Sequence, residues 1–162
     1  MNNATFIIVV FCVALMSAQV VEVQAQIQII LEPIRLAASD TLDLDVRLLS
    51  EMNRLKHPVN AFQFVVIAPP YVNFIGSDSR YTLSDKTGWS TAHNIENGRV
   101  GGFSSSTDAI VRNGVLIRLQ FLLKDTDTRG TIELREFRLN NGFPDHLPVI
   151  PSLRLDLVEH LE

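Results

Sequence analysis

Residues 41–48 read Thr-Leu-Asp-Leu-Asp-Val-Arg-Leu, and the fold class turns on how they are arranged. Leu42, Leu44, Val46 and Leu48 fall on one side of an extended chain, and Thr41, Asp43, Asp45 and Arg47 on the other. Successive side chains of a strand point to opposite faces, so the octet is a strand with one face in a core and one in water. Wound as a helix, the same apolar residues would spread around the cylinder.

Outward from this octet the same reading recurs. An apolar run at 27–31 stops before Pro33. Residues 61–67 (AFQFVVI) set Phe62, Phe64 and Val66 on one side. Residues 71–75 follow the break at Pro69-Pro70, and 88–95 hold Trp89, the only tryptophan. Residues 99–104 follow Asn97-Gly98, a hairpin signal. The most hydrophobic stretch of the domain is 115–123, expected to be a central strand with its second face partly covered. Residues 132–139 alternate again, and 153–158 close the series. Nine strands with turn signals between them predict an all-β, nine-stranded sandwich of two antiparallel sheets. Two stretches, 48–57 and 78–86, could each hold a helical turn.

Residues 6–18 (FIIVVFCVALMSA) carry no charge and have the length of a signal-peptide apolar region. Val23-Gln24-Ala25 is a small-residue site of the cleavable kind, so residues 1–25 are expected to be a signal peptide and 26–162 a single domain, secreted or extracytoplasmic, with no membrane segment after cleavage; the competing reading is an uncleaved anchor over Phe6 to Val23, which Ser17, Gln19 and Glu22 weaken. The only cysteine, Cys12, would leave with the signal. That excludes a disulfide scaffold and a thiolate metal site. A net charge of −4, with lysine and arginine scattered, gives no electrostatic reason to bind nucleic acid.

Searching for chemistry yields little. His57, His93, His146 and His160 stand at no ligand spacing. Residues 104–108 (SSSTD) lack a nucleophile elbow and read as a polar hairpin loop. Asp125-Thr-Asp127-Thr-Arg129-Gly130, with Glu136 at the twelfth position, opens like a calcium loop. Arg129 puts a cation where a carboxylate or amide is needed, and strand patterns flank it where helices should be, so a hairpin turn is the plainer reading. No catalytic residue, metal site or cofactor is assigned. Trp89 could stack on a sugar ring if exposed, or fill the core if buried. Tyr81 is the second residue of that carbohydrate-stacking alternative.

Several segments together resemble the cohesin-like domains of bacterial extracellular proteins, the cellulosomal type. They are Asp40–Val46, Asn60–Phe74 with its proline turn, Thr87-Gly88-Trp89, Asn97-Gly98-Arg99-Val100, Gly114–Phe121, Gly130–Leu134 and Leu139–Gly142. The resemblance implies a nine-stranded jelly roll and a non-catalytic, protein-binding role. The partner, a dockerin-type module, would dock on the sheet made by the third, fifth, sixth and eighth strands. Ala61, Gln63, Val65, Arg99, Glu133 and Arg135 are the candidate contact residues on that sheet, which should be flat and uncovered. Related sandwiches bind polysaccharide, which is the alternative.

Overall fold

The computed structural model describes residues 27–36, 40–50, 54–86, 88–105, 108–124, 129–140 and 151–156. The expected signal segment, with its cleavage site, lies outside the described residues, as do His146 and His160.

Among the described residues there are eleven strands: β1 (Gln28–Leu36), β2 (Thr41–Leu49), β3 (Arg54–Val59), β4 (Ala61–Ile67), β5 (Val72–Asp78), β6 (Trp89–Asn94), β7 (Arg99–Ser104), β8 (Ile110–Arg112), β9 (Gly114–Leu123), β10 (Arg129–Leu139) and β11 (Ser152–Asp156). Nine of them form the two main sheets, ordered β1-β2-β9-β5 and β11-β10-β4-β7-β6, and β3 pairs with β8 as a separate ribbon. All pairings are antiparallel. The nine expected strands are these nine. The ribbon was not expected: β3, which carries His57, occupies part of a stretch read as a potential helical turn.

Three local readings are corrected. Pro33 does not end β1, which continues to Leu36 through a bulge between Pro33 and Arg35. An edge strand tolerates proline, because its missing N–H can face away from the only neighbour. The polar segment 104–108 does not close a hairpin, since β7 lies in the five-stranded sheet and β8 in the ribbon. The segment between β9 and β10 is likewise a crossing between sheets. Residues 125–128 lie outside the described residues, and strands flank them, as the patterning indicated. The Asn97-Gly98 signal does make a hairpin, β6–β7. Asn94 Oδ1 accepts the N–H groups of Glu96 and Asn97, and Gly98 adopts φ +68° where a Cβ would run into the Val66 carbonyl.

The core lies between the main sheets. The strand that opened the sequence reading supplies Leu42, Leu44, Val46 and Leu48, all essentially inaccessible, facing Phe64, Ile132, Leu134 and Leu139 from the other sheet. Burying each such side chain contributes roughly 1.5–3 kcal/mol. β9 is central, between β2 and β5. Where β5 stops, opposite Arg118, the loop after β5 takes up the edge of β9: Leu83 N–H donates to the Val115 carbonyl and Ser84 Oγ to that of Leu116, and Leu83 is buried. An aromatic row underlies the five-stranded sheet. Trp89 stacks on Phe62 (6.2 Å), Phe62 on Phe64 (6.1 Å) and Phe64 on Phe137 (5.2 Å, 3° between planes). At one open side His93 of β6 reaches β5. Its Nδ1 accepts the Ser77 N–H at 3.3 Å, and its ring meets Phe74 edge-on.

Candidate functional site

The outer face of the five-stranded sheet is built by register. Across it, one row runs Asn94 (β6), Arg99 (β7), Val65 (β4), Arg135 (β10). The next runs Ala92, Gly101, Gln63, Arg138, and a third runs Ser90, Phe103, Ala61. On the far side of Val65, Ile67 pairs with Glu133, which pairs with Ser152 of β11. The six candidate residues Ala61, Gln63, Val65, Arg99, Glu133 and Arg135 are therefore neighbours on one surface. Gln63, Arg99, Phe103, Arg135 and Arg138 are exposed, and Ala61, Val65 and Glu133 are half-buried among them.

β10 departs from simple alternation, correcting the expectation for 132–139. Its register against β4 shifts between Arg135 and Arg138, and Glu136 takes φ +53°. The shift is a bulge: Ile132 and Leu134 face inward before it, Phe137 and Leu139 after it, and Arg135 and Glu136 both face water. Positive φ is uncommon for a residue with a Cβ, and here it places a carboxylate over β4. Glu136 Oε2 lies 3.7 Å from Arg99 Nη2, so this pair spans β4 beside Val65. Arg135 is held by Glu133 on its own strand, Nη2 to Oε2 at 2.8 Å and Nε to Oε2 at 2.9 Å. Exposed pairs of this kind contribute little stability, ~0–1 kcal/mol. Their effect is to fix where the charged groups stand. Arg138 has no ion pair or hydrogen-bond partner for its side chain among the described residues.

Between β6, β7 and β4 the face dips into a shallow depression of about 500 Å³, lined by Ala61, Gln63, Ala92, Gly101 and Phe103 among others. The dip follows from residue size. Gly101 has no side chain to fill the middle of its row, and Ala92 beside it has only a methyl group. Phe103, 56% exposed, forms one wall.

The carbohydrate-stacking residues are placed differently. Trp89 is half-buried at the core margin, with one ring face on Phe62 and its Nε1–H donated to the Asp108 carbonyl at 2.7 Å. Tyr81 is 93% exposed in the loop after β5, with φ +62°. Among the described residues no group of three His, Cys, Asp or Glu side chains could hold a metal ion.

Sequence reasoning did not place Arg138 and Glu136 on this face (Glu136 figured only in the calcium-like loop), nor Gly101, Ala92 and Phe103. The signal for the first two was present: the apolar residues of β10 fall at 132, 134, 137 and 139, and the odd step marks the bulge. Gly101 and Ala92 gave no signal, since nothing in a small residue announces that its neighbours are also small.

No family model and no curated protein matches this chain. Solved structures do. A non-cellulosomal cohesin from the hyperthermophilic archaeon Archaeoglobus fulgidus aligns with TM-score 0.52 at 13% identity, over 80% of this chain and 91% of that one. The third cohesin ScaC of Acetivibrio cellulolyticus, solved in complex with the ScaB dockerin, aligns with TM-score 0.54 at 16% identity, over 75% of this chain and 92% of that one. The chain is thus a β-sandwich of cohesin-like fold.

Proposed function

We propose that this chain is a non-catalytic binding module that takes a protein partner on the outer face of the sheet β11-β10-β4-β7-β6, in an extracellular or cell-surface setting. The observation that carries the reading is the face itself: a contiguous surface, open among the described residues, with an apolar dip beside ordered charges. Interfaces of ordinary stability bury roughly 800 Å² on each partner, with a few desolvated anchors inside a polar rim. Phe103, Ala61 and Val65 supply apolar area, Gln63 supplies hydrogen bonds, and Arg99, Glu133 and Arg135 form a rim of fixed charges. The cohesin-like fold supports a dockerin-type module as the partner, and the solved Acetivibrio complex is an example of that pairing.

The test is capture from the producing cell's secreted proteins on the immobilised chain, with and without calcium, alongside a Val65→Arg variant. Recovery of one protein on the wild type and its loss on the variant supports the reading. Equal recovery on both would refute this face as the binding surface. The polysaccharide alternative has less behind it, because Trp89 already has one ring face packed and its N–H bonded.

A further inference from the structure

The dip over Gly101 shares one row of the sheet with Arg138, two strands away, which has no partner among the described residues. We infer that the protein partner enters this row with an apolar side chain in the dip and a single carboxylate on Arg138. This deepens the protein-binding reading above and rests on it.

The first ground is that the fold does not require the emptiness at Gly101. Gly102, its neighbour, is forced: a Cβ there would lie 2.5 and 2.7 Å from the Phe62 ring carbons. At Gly101 the nearest atom to an added Cβ is the Phe62 carbonyl oxygen at 3.3 Å, and its φ lies outside the left-handed region. An alanine would need only a few tenths of an ångström of give. The bare position leaves Phe103, 56% exposed, with an uncovered flank against which an apolar side chain can pack.

The second ground is charge. Arg99 and Arg135 each face a glutamate, Glu136 and Glu133, whereas Arg138 faces none among the described residues. Arg99, Arg135 and Arg138 against Glu133 and Glu136 leave these five side chains at +1, on a chain whose net charge is −4. A guanidinium with no partner among the described residues is suited to a bidentate carboxylate, where charge-assisted bonds are about twice as strong as neutral ones. Glu133 and Glu136 stand on the same strand and would repel a polyanion. That favours one carboxylate on a protein segment over a nucleic-acid or lipid phosphate surface. Strands sit 4.7–4.9 Å apart, so Gly101 and Arg138 are separated by roughly 10 Å. An apolar residue and an acidic residue a few positions apart in one segment would span that distance.

The experiment is selection of a phage-displayed random dodecapeptide library on the immobilised full chain. Individual peptides are then measured by fluorescence polarisation on the wild type, Arg138→Glu and Gly101→Leu. The inference expects enriched peptides to carry an Asp or Glu near an apolar residue. It expects binding at least tenfold weaker on both variants, and a matching loss when the peptide's acid is changed to its amide. Peptides that lose binding on Gly101→Leu but not on Arg138→Glu, or that lack an acid, would overturn the inference and leave the protein-binding face standing. Equal binding to all three proteins, or no enrichment over bare support, would overturn both. Arg138→Glu is a change at an exposed position, and together with the peptide amide variant it keeps the test valid if Gly101→Leu folds poorly.

Discussion

Gly101 and Gly102 are adjacent on β7 and face opposite ways, which makes Gly102→Ala a sharp test of the packing described. A methyl group at position 102 would sit 2.5 Å from Phe62 Cε1, 2.7 Å from Cζ and 3.2 Å from Thr91 Cγ2. A lone phenyl ring could swing away. This ring is held between Trp89 on one side and Phe64 on the other, so moving it disturbs the whole aromatic row. Forcing a methyl into a filled core costs about 1–3 kcal/mol. The alanine also restricts the unfolded chain, which returns about 0.4–1 kcal/mol. The net expectation is destabilisation by about 1–2 kcal/mol. With a urea slope of about 1.5 kcal/mol per molar, the midpoint should fall by about 0.7–1.3 M. Trp89 is the only tryptophan and touches Phe62, so its fluorescence reports the unfolding of the strained site itself, and circular dichroism should give the same midpoint. Gly101→Ala, one residue away on the open face, should stay within about 0.5 kcal/mol of the wild type. Equal midpoints for the two variants, or a stabilised Gly102→Ala, would refute the packing argument.

Three further outcomes follow from particular contacts. Asn140 sits at φ +53°, its Oδ1 accepting from Asn60 N–H (2.7 Å) and Ala61 N–H (3.2 Å) and its Nδ2 donating to the Pro58 carbonyl. Asn140→Ala should cost about 2–3 kcal/mol in thermal or urea unfolding, and Asn140→Gly about 1 kcal/mol less, because glycine lacks the Cβ penalty at that backbone angle. Asp45 lies 6% exposed on the solvent side of β2, bonded to Arg118 Nε at 3.0 Å. Arg118→Met strands that carboxylate and should cost about 3 kcal/mol, whereas Asp45→Asn should cost about 1 kcal/mol, since Arg118 is the more exposed partner; a reversed order in denaturant titrations would contradict the burial. The Arg80 guanidinium and its backbone N–H hold the Asp78 carboxyl below its ordinary value of 3.8. A folded-state value below the unfolded one stabilises above the ordinary carboxylate range, and the gain is lost as the pH falls through the depressed value. Arg80→Ala should therefore be less stable than wild type at neutral pH, with the gap closing in acid; a gap constant down the pH series would rule the pair out as its cause.

The two-sheet architecture was legible because alternation is a local property. Leu42 to Leu48 must share a side wherever β2 ends up. Features that depend on a neighbour were harder to see. Pro33 looked like a stop, since one strand's sequence does not say that it lies on an edge. The polar loops looked like hairpins, since composition does not say which sheet the next strand joins. The β3–β8 ribbon joins Arg54 to Arg112, and neither segment alternates long enough to show itself. In the candidate site, the resemblance to cohesin-like domains pointed to the sheet that Gln63, Arg99 and Arg135 share, and parity within each strand told only which of its residues face the same way. The depression arises only when Gly101 and Ala92 meet across two strands.

The alternation of strands between the sheets also bears on how the chain acquires its structure. β4 and β5 are consecutive but belong to different sheets, as are β5 and β6, and β9 and β10. β2 leaves the ribosome with its hairpin partner β1, yet its other neighbour is β9, where Thr41 pairs with Leu122. Until that strand emerges, one edge of β2 and the row Leu42 to Leu48 have no partner. Loop closures of this span precede the contacts that reward them, which places folding in the millisecond-to-second range typical of sandwiches. An emerging chain with an unpaired, apolar strand edge is open to association with its own copies. Asp43 and Arg47, on the side of the strand opposite Leu42 to Leu48, put charge beside that edge while the strand waits.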